Sequence, residues 1–480
     1  MKNIIKSISK LGNSPRRSAQ RRREGSRLFK LILIVFIFTF LSLSVFAAPG
    51  RRTYTGGNNN YDFTGITGLI SGNSGGNGGA ISISGASTVL NINYNGDVDF
   101  YNNGHSGTAS GGAIYMNGGT LNITVTGDLK FRENEATGGS NNGAGAIFMT
   151  GATNVTLIAK NILIHNNQGG TDGGALAFNN DNSIRRFTIP DSVNSFTISS
   201  NVSAFGGAIY GNNGTNYLTF NAKTINFLYN TATTNPHREG AGGVIQFNGA
   251  AGNIDFIGAA GSYINVNYIG NTANYGNSHG GVLALYSNGI NLHYSFTNLN
   301  FNNNLSIGNG GVIWAQANAL VEFKNFTFKA DNNKAQYGGI ISLEGSARVT
   351  FESGSIEFTN NTSWNAASVG NISLGVSNSM SLTSITSLIG RYNKAGSAGL
   401  LYLPNITFNF TGTTMELTGN TAFNGVGGGF YFTGAVTSFK GVNATFQNNQ
   451  AWTTNGHGGA IYINNSSSTF GATTSMIFNG

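Results

Sequence analysis

The chain has no cysteine, five prolines and only 9% charged residues in 480. Without cysteine it can form neither a disulfide framework nor a thiolate metal site. Its formal net charge of +8 is misleading, because residues 1–47 hold ten Lys or Arg and one acidic residue. The remainder holds sixteen basic and seventeen acidic residues, a net charge of −1. This balance gives no electrostatic support for a nucleic-acid partner, so we expect none.

Long hydrophobic runs are also scarce, and the clearest one lies near the N-terminus. Seven basic residues between Arg16 and Lys30 precede an uncharged 17-residue run from Leu31 to Ala47. That length is at the low edge for crossing about 30 Å of hydrocarbon, and Val45-Phe46-Ala47 fits a signal-peptidase site. We predict a cleaved export signal over residues 1–47, with signal peptidase and the export machinery as partners; an uncleaved anchor is the alternative. The location would be the outer membrane, the cell surface or the medium.

Glycine, with 71 residues, is what the chain has in abundance. Short glycine-rich steps recur along the sequence at intervals of 28 to 38 residues, a period typical of solenoids. The second residue of each step is Gly79, Gly112, Gly145, Gly174, Gly207, Gly243, Gly281, Gly311, Gly339, Gly370, Gly399, Gly428 or Gly459.

Each glycine step leads into an alternating apolar run, as where Ile114 and Met116 flank Tyr115, which predicts a short strand with one buried face. Two more alternating runs follow in each unit, and Gly and Asn separate them. Three short strands per unit, with no helical period, predict an all-β parallel β-helix of about 13 coils. We expect residues 48–62 to be a Gly/Asn-rich lead-in and residues 63–480 to be the β-helix.

A second recurring phrase, such as FRENEA at 131–136, places Phe and Asn three residues apart. On one straight strand these two residues would face opposite sides, so their spacing predicts a turn between them. Asn tolerates the left-handed backbone that such a turn needs. Stacked amides can hydrogen-bond along a column, so we predict an asparagine ladder at one corner. Its expected members are Asn73, Asn103, Asn134, Asn167, Asn201, Asn230, Asn271, Asn304, Asn361, Asn420 and Asn449. The expected inner stack is Phe131, Phe227, Phe301, Phe328, Phe358 and Phe446.

These two motifs, GGA[I/L/V] and F-x-x-N-x-[A/S], resemble the repeats of the chlamydial polymorphic outer membrane proteins. GGAI stands at 78–81 and 458–461, for example, and FLYNTA at 227–232. The resemblance covers residues 63–480 and implies a right-handed β-helix, an autotransporter passenger of the adhesin kind. No stretch of ten-residue amphipathic strands, as a barrel would need, follows the repeats. We therefore expect the passenger to be incomplete at its C-terminal end; a passenger that lacks its own translocator is the alternative.

Residues that could support catalysis are few. Asp97 and Asp99 form a D-x-D that could bind a cation or supply half of an acid–base pair, although a solvated face is the plainer interpretation. The six histidines are scattered. The longest charged loop, over residues 235–240, is expected to protrude, and loops often carry function on rigid scaffolds, but its residues do not indicate a catalytic site. We predict no catalytic residue, metal or cofactor. The histidines are His105, His165, His237, His279, His293 and His457.

The outward position of the strand after the glycine step is aromatic in seven coils. Exposed aromatic rings dominate many binding hot spots, so these residues are the candidate binding face; the alternatives are that loops cover them or that they merely suit a sheet. We expect a non-enzymatic surface or secreted adhesin that binds host or neighbouring cells. A secreted polysaccharide-acting enzyme and a passive structural decoy are the other candidates. The seven residues are Tyr115, Phe148, Tyr210, Trp314, Tyr402, Tyr431 and Tyr462.

Overall fold

The computed structural model describes most of residues 50–480. The parts of this range outside the description are 64–67, 74–76, 105–109, 137–142, 180, 234–241, 250, 275–277, 287–288, 366–369, 376–377, 405–406, 453–457, 465, 471–474 and 480. The predicted export signal over residues 1–47 and the charged loop over residues 235–240 therefore lie outside the described residues.

The predicted parallel β-helix is confirmed. Every pairing between named strands is parallel and joins one coil to the next, as where Ile209 lies in register with Ile245. The strands that follow the glycine steps form one stack, together with a first strand at its N-terminal end. They are Arg52–Thr55, Ile81–Ser84, Ile114–Val125, Ile147–Ile158, Leu176–Phe178, Ile209–Asn212, Ile245–Asn248, Leu283–Leu285, Ile313–Ala315, Ile341–Leu343, Ile372–Leu374, Leu401–Pro404, Phe430–Thr433 and Ile461–Asn464.

The second and third stacks follow along each coil. In the middle coils one continuous strand serves both stacks, and it bends at a residue such as Asn325, whose φ is 50°. The first-stack strands Ile114–Val125 and Ile147–Ile158 run on into the second stack. The other second-stack strands, including the continuous ones, are Asn58–Asn60, Val89–Tyr94, Ile184–Ile189, Thr215–Phe220, Ala251–Ile257, Ile290–Asn302, Leu320–Asp331, Arg348–Thr359, Ser379–Arg391, Thr407–Thr418, Val436–Lys440 and Ser467–Phe470. Separate third-stack strands are Leu69–Ser71, Val98–Tyr101, Asp128–Arg132, Asn161–His165, Ser195–Ser199, Thr224–Leu228, Ile264–Ile269, Asn443–Gln447 and Ser475–Asn479.

A fourth stack, not predicted from the sequence, consists of two-residue strands just after the asparagine corner. Its members are Glu135–Ala136, Gln168–Gly169, Val202–Ser203, Thr231–Ala232, Thr272–Ala273, Leu305–Ser306, Lys334–Ala335, Thr362–Ser363, Lys394–Ala395, Thr421–Ala422 and Gln450–Ala451. Within the described residues, no helix is long and apolar enough to cross a membrane.

The β-helix begins earlier than predicted. Arg52–Thr55 pairs in parallel with Ile81–Ser84, and Asn58–Asn60 pairs with the strand that begins at Val89. Within the expected lead-in, residues 52–60 are therefore part of the first coil. These strands were not predicted because their residues are mostly polar, and segments of three or four residues are too short to show an apolar alternation.

Inward side chains from the successive coils form one continuous apolar cluster from Tyr61 to Phe446. Burying a side chain such as Ile, Leu or Phe contributes about 1.5–3 kcal/mol. Since each coil covers the apolar face of its neighbour, stability is shared along the rod rather than held by a single coil.

The glycine steps allow neighbouring coils to approach closely. A Cβ atom added to Gly207 would lie 2.3 Å from the carbonyl oxygen of Gly243, and one added to Gly112 would lie 2.1 Å from that of Gly145. No side chain can be accommodated at such distances. The same carbonyl approach recurs at Gly79, Gly145, Gly174, Gly243, Gly281, Gly311, Gly399 and Gly428.

Candidate functional site

The predicted asparagine ladder is confirmed, and it is longer than the sequence indicated. Each side-chain Nδ2 donates to Oδ1 of the asparagine in the next coil, as from Asn134 to Asn167 at 2.9 Å. The same Nδ2 also donates to a backbone carbonyl of the preceding coil, that of Phe100 for Asn134. Asn333 and Asn393 continue the ladder and were missed, because the small residues Ala330 and Gly390 stand where the other coils have a large apolar residue. The ladder is structural, and its amides are buried and satisfied.

The turn beside the ladder differs from the prediction in one respect. The left-handed residue is the one before each ladder asparagine rather than the asparagine itself, with φ between 50° and 68°. Non-glycine residues pay a steric cost there, and Asn occupies many of these positions. The residues are Gly72, Asn102, Glu133, Asn166, Ser200, Tyr229, Gly270, Asn303, Asn332, Asn360, Tyr392, Gly419 and Asn448.

The phenylalanine stack is confirmed except at Phe328. Phe301, Ala330 and Phe358 are in register in three successive coils, so Phe328 lies two positions before the column. It compensates for the small Ala330, because its ring centroid lies 4.9 Å from that of Phe301 and 5.6 Å from that of Phe358. Phe131, Phe227 and Phe446 occupy the column as predicted and are buried.

Asp97 and Asp99 do not converge on a common site. Asp99 pairs with the guanidinium of Arg132 at 2.5 Å, and Asp97 lies 3.4 Å from the ammonium of Lys130. The backbone N–H of Asp128 donates to Asp97, and this bond lowers the pKa of the Asp97 carboxyl. Both carboxylates are thus held by cations as ion pairs on the outer face. In the described part of the chain, no cluster of three His, Cys, Asp or Glu could hold a metal ion.

Of the six histidines, three lie within the described residues. His165 contacts Ser199, and His279 stacks on Trp314 at a centroid distance of 4.4 Å. His293 lies between two carboxylates of neighbouring coils, with Nδ1 2.8 Å from Asp255. This hydrogen bond raises the pKa of His293. His105, His237 and His457 lie outside the description.

The seven predicted aromatic residues do share one column of the first stack. The register places Tyr115 beside Phe148, and Tyr402 beside Tyr431 and then Tyr462. The prediction that all seven form an exposed face is wrong for Phe148, Tyr210 and Trp314, each 1% exposed.

Phe148 packs against Ala144, Ala177 and Tyr115, whereas neighbouring loops bury Tyr210 and Trp314. Ala204 and Phe205 pack against Tyr210, whereas the rings of His279 and Tyr286 contact Trp314. The loops before the glycine steps vary in length and carry no period. The strand pattern alone therefore could not show which aromatic residues they cover.

Tyr402, Tyr431 and Tyr462, named here the tyrosine ladder, are half-buried in three successive coils. Their ring centroids are 5.1 and 5.3 Å apart, with interplanar angles of 59° and 54°. Burial, together with the neighbouring Tyr431, raises the pKa of the Tyr402 hydroxyl, so the phenol is neutral at physiological pH. The ladder offers a partly exposed strip of aromatic surface about three coils long.

Two exposed tryptophans that follow fourth-stack strands were missed. Trp364 is 42% exposed and Trp452 is 63% exposed. Each directly follows the last residue of an F-x-x-N-x-[A/S] phrase, at FTNNTSW and FQNNQAW. The position directly after the motif could have indicated this exposure, because the chain leaves the fourth stack there and enters a loop.

Comparisons with protein-family models, with curated proteins and with solved structures give no significant match. The class of protein is therefore defined by the fold itself. The chain is a repeat protein whose described residues form a parallel β-helix.

Proposed function

We propose that this chain is a non-enzymatic, surface-exposed or secreted bacterial β-helical protein that mediates adhesion to host or neighbouring cells. In this proposal it is a passenger of the autotransporter kind, related to the polymorphic outer membrane proteins by its repeats. The tyrosine ladder carries the adhesive part of the proposal. The leader sequence and the paired repeat motifs support the location and the family.

Adhesion suits the surface that the ladder offers. Tyr supplies large, rigid contact area and a polar hydroxyl at low entropic cost, which is why it is enriched in binding hot spots. The rigid rod fixes the three rings with respect to one another, so a partner does not have to order them. Trp364 and Trp452 add exposed aromatic surface in the coils toward the C-terminal end.

A bead-attachment assay tests this function. Beads coated with the purified full chain are applied to cultured epithelial cells and attachment is counted. The triple variant Tyr402→Thr, Tyr431→Thr, Tyr462→Thr keeps residues that suit a strand. Removing aromatic hot-spot residues costs about 2 kcal/mol or more of binding free energy, so attachment should fall at least about tenfold.

The matched control removes aromatic surface elsewhere. Tyr229 and Tyr392 are 62% and 54% exposed and occupy the left-handed position before the asparagine ladder, where Asn is common. The double variant Tyr229→Asn, Tyr392→Asn should therefore attach like the wild type. Equal attachment by the triple variant and the wild type would refute the tyrosine ladder as the adhesive surface.

Binding is favoured over catalysis because several acidic residues of the outer face are engaged in ion pairs. Asp99 binds Arg132, and Glu416 forms two hydrogen bonds with Arg391. A polysaccharide hydrolase needs two carboxyl groups free to act on one bond. Release of reducing ends from polysaccharides by the purified chain would contradict this part of the proposal.

A further inference from the structure

A shallow cavity of about 330 Å³ lies on the outer face of the third stack, away from the aromatic column. Asn302, Asp331 and Thr359 occupy one column of three successive coils along it. Asn300, Lys329 and Glu357 form the parallel column beside them. The cavity is at the lower end of the range for ligand pockets, which begins at about 300 Å³.

Two groups in this cavity have unused hydrogen-bonding capacity. Oδ1 of Asn302 and Oγ1 of Thr359 are buried and have no hydrogen-bond partner. Leaving such a group unpaired costs about 1–3 kcal/mol. A ligand with hydroxyl groups would relieve that cost once the two side chains turn toward it.

The charges of the cavity restrict its ligand. Lys329 disfavours a metal cation, whereas Asp331 and Glu357 disfavour an anion. The ammonium of Lys329 and the guanidinium of Arg391 each lie 3.8 Å from Glu357, so charges of opposite sign already balance there. Amide, hydroxyl, carboxylate and ammonium groups together can pair with a ligand that both donates and accepts hydrogen bonds. Ala330 is the one apolar residue of the lining, so an apolar peptide side chain would find little contact.

We infer that this cavity is a binding subsite for a sugar residue of a neutral glycan. The hydroxyl groups of the sugar donate to Asn302 Oδ1 and to the Asp331 carboxylate, and they accept from the Lys329 ammonium. The Thr359 hydroxyl donates to the sugar or accepts from it. The subsite lies on a different face from the tyrosine ladder and does not depend on the adhesive role of those rings.

Calorimetric titration of the purified full chain tests the inference. The probes are neutral oligosaccharides of glucose, mannose, galactose and N-acetylglucosamine, with chelator present to exclude bound metal. At least one probe should bind, and Thr359→Val should weaken its binding about five- to tenfold. Asp331→Asn should weaken it similarly. Because the Thr359 hydroxyl has no partner in the folded chain, Thr359→Val should not lower the melting temperature.

Thr350→Val is the matched control, because Thr350 lies outward on the same strand but outside the cavity. It should bind the probe like the wild type, and so should the triple variant of the tyrosine ladder. The inference fails if no neutral oligosaccharide binds, or if Thr359→Val and Asp331→Asn bind the probe as well as Thr350→Val does.

Discussion

The backbone N–H and the side-chain Nδ2 of Asn167 both donate to Oδ1 of Asn201, at 2.9 and 3.0 Å. The amide of Asn201 repeats this arrangement with Asn230 in the following coil. Each amide thus joins three coils at the corner where the chain turns. The buried ladder pins the register of the coils from Asn73 to Asn449.

Asn201→Ala should lower the free energy of unfolding by about 3 kcal/mol, because the buried backbone N–H of Asn167 loses its acceptor and the carbonyl of Ile164 loses the hydrogen bond from Asn201. Denaturant unfolding measures the loss. Asn226→Ala is the control, since Asn226 makes an amide hydrogen bond to Thr197 on the outer face. It should cost less than about 1 kcal/mol. Equal losses for the two variants would show that the ladder adds nothing beyond ordinary surface amides.

Gly207→Ala should destabilise the rod by about 2–3 kcal/mol, because the new methyl group meets the backbone carbonyl of Gly243, which cannot move without separating two coils. Thermal unfolding of Gly104→Ala provides the comparison, since a Cβ atom at Gly104 contacts nothing within 4 Å. We expect that control to melt within a degree or two of the wild type, about the effect of a neutral surface change. A Gly207→Ala protein that melts with the control would contradict the close approach of the coils.

Tyr268→Phe should cost about 1–3 kcal/mol, although it removes a single oxygen atom. The two buried hydroxyls of Tyr268 and Tyr294 hydrogen-bond to each other at 2.8 Å, so the single change leaves Tyr294 unpaired. The double variant with Tyr294→Phe removes both polar groups and should be more stable than either single variant. A double-mutant cycle by denaturant unfolding tests this, and simple additivity of the two losses would contradict the pairing.

His293 should make stability depend on pH. Its pKa is raised above the ordinary value of 6.5, first by the hydrogen bond with Asp255 and further by the charges of Asp255 and Glu322. The folded state therefore binds the proton more tightly than the unfolded state. The resulting stabilisation is fully present below the unfolded pKa and is lost as pH rises through the folded pKa. Because the ring is partly exposed, solvent screening keeps the effect small.

The measurement for His293 is the difference in melting temperature between the wild type and His293→Gln. That difference should favour the wild type at about pH 5 and shrink by about pH 8. Carboxyl groups elsewhere titrate in both proteins and cancel in the comparison. A difference that stayed constant over this range would show that the proton on His293 does not stabilise the fold.

Much of this fold could be predicted from short-range pattern, because each coil repeats the same local demands. The sequence shows glycine where coils touch, asparagine at the corner and an alternation of apolar and polar residues in the strands. Asn333 was not found, since the small Ala330 stands where the other coils have a large apolar residue. The packing of Phe328 into that gap is a property of three coils together.

The candidate site was less predictable. Tyr210 and Tyr431 occupy equivalent strand positions, yet the first is buried and the second is half-exposed. Phe205 covers Tyr210 from a loop whose path no periodicity records. The polar cavity at Asp331 depends likewise on side chains from three separate coils. Asp331 is 29 residues after Asn302 and 28 residues before Thr359 in the sequence.

In the proposed function the rod stands outside the cell, where its faces can meet a partner. Antibody raised against the purified chain and applied to intact producing cells tests this most directly, with the same cells after lysis as the reference. We expect intact cells to bind the antibody, and an impermeant protease to remove that signal. Antibody binding that appears only after lysis would place the chain inside the cell and contradict the claim.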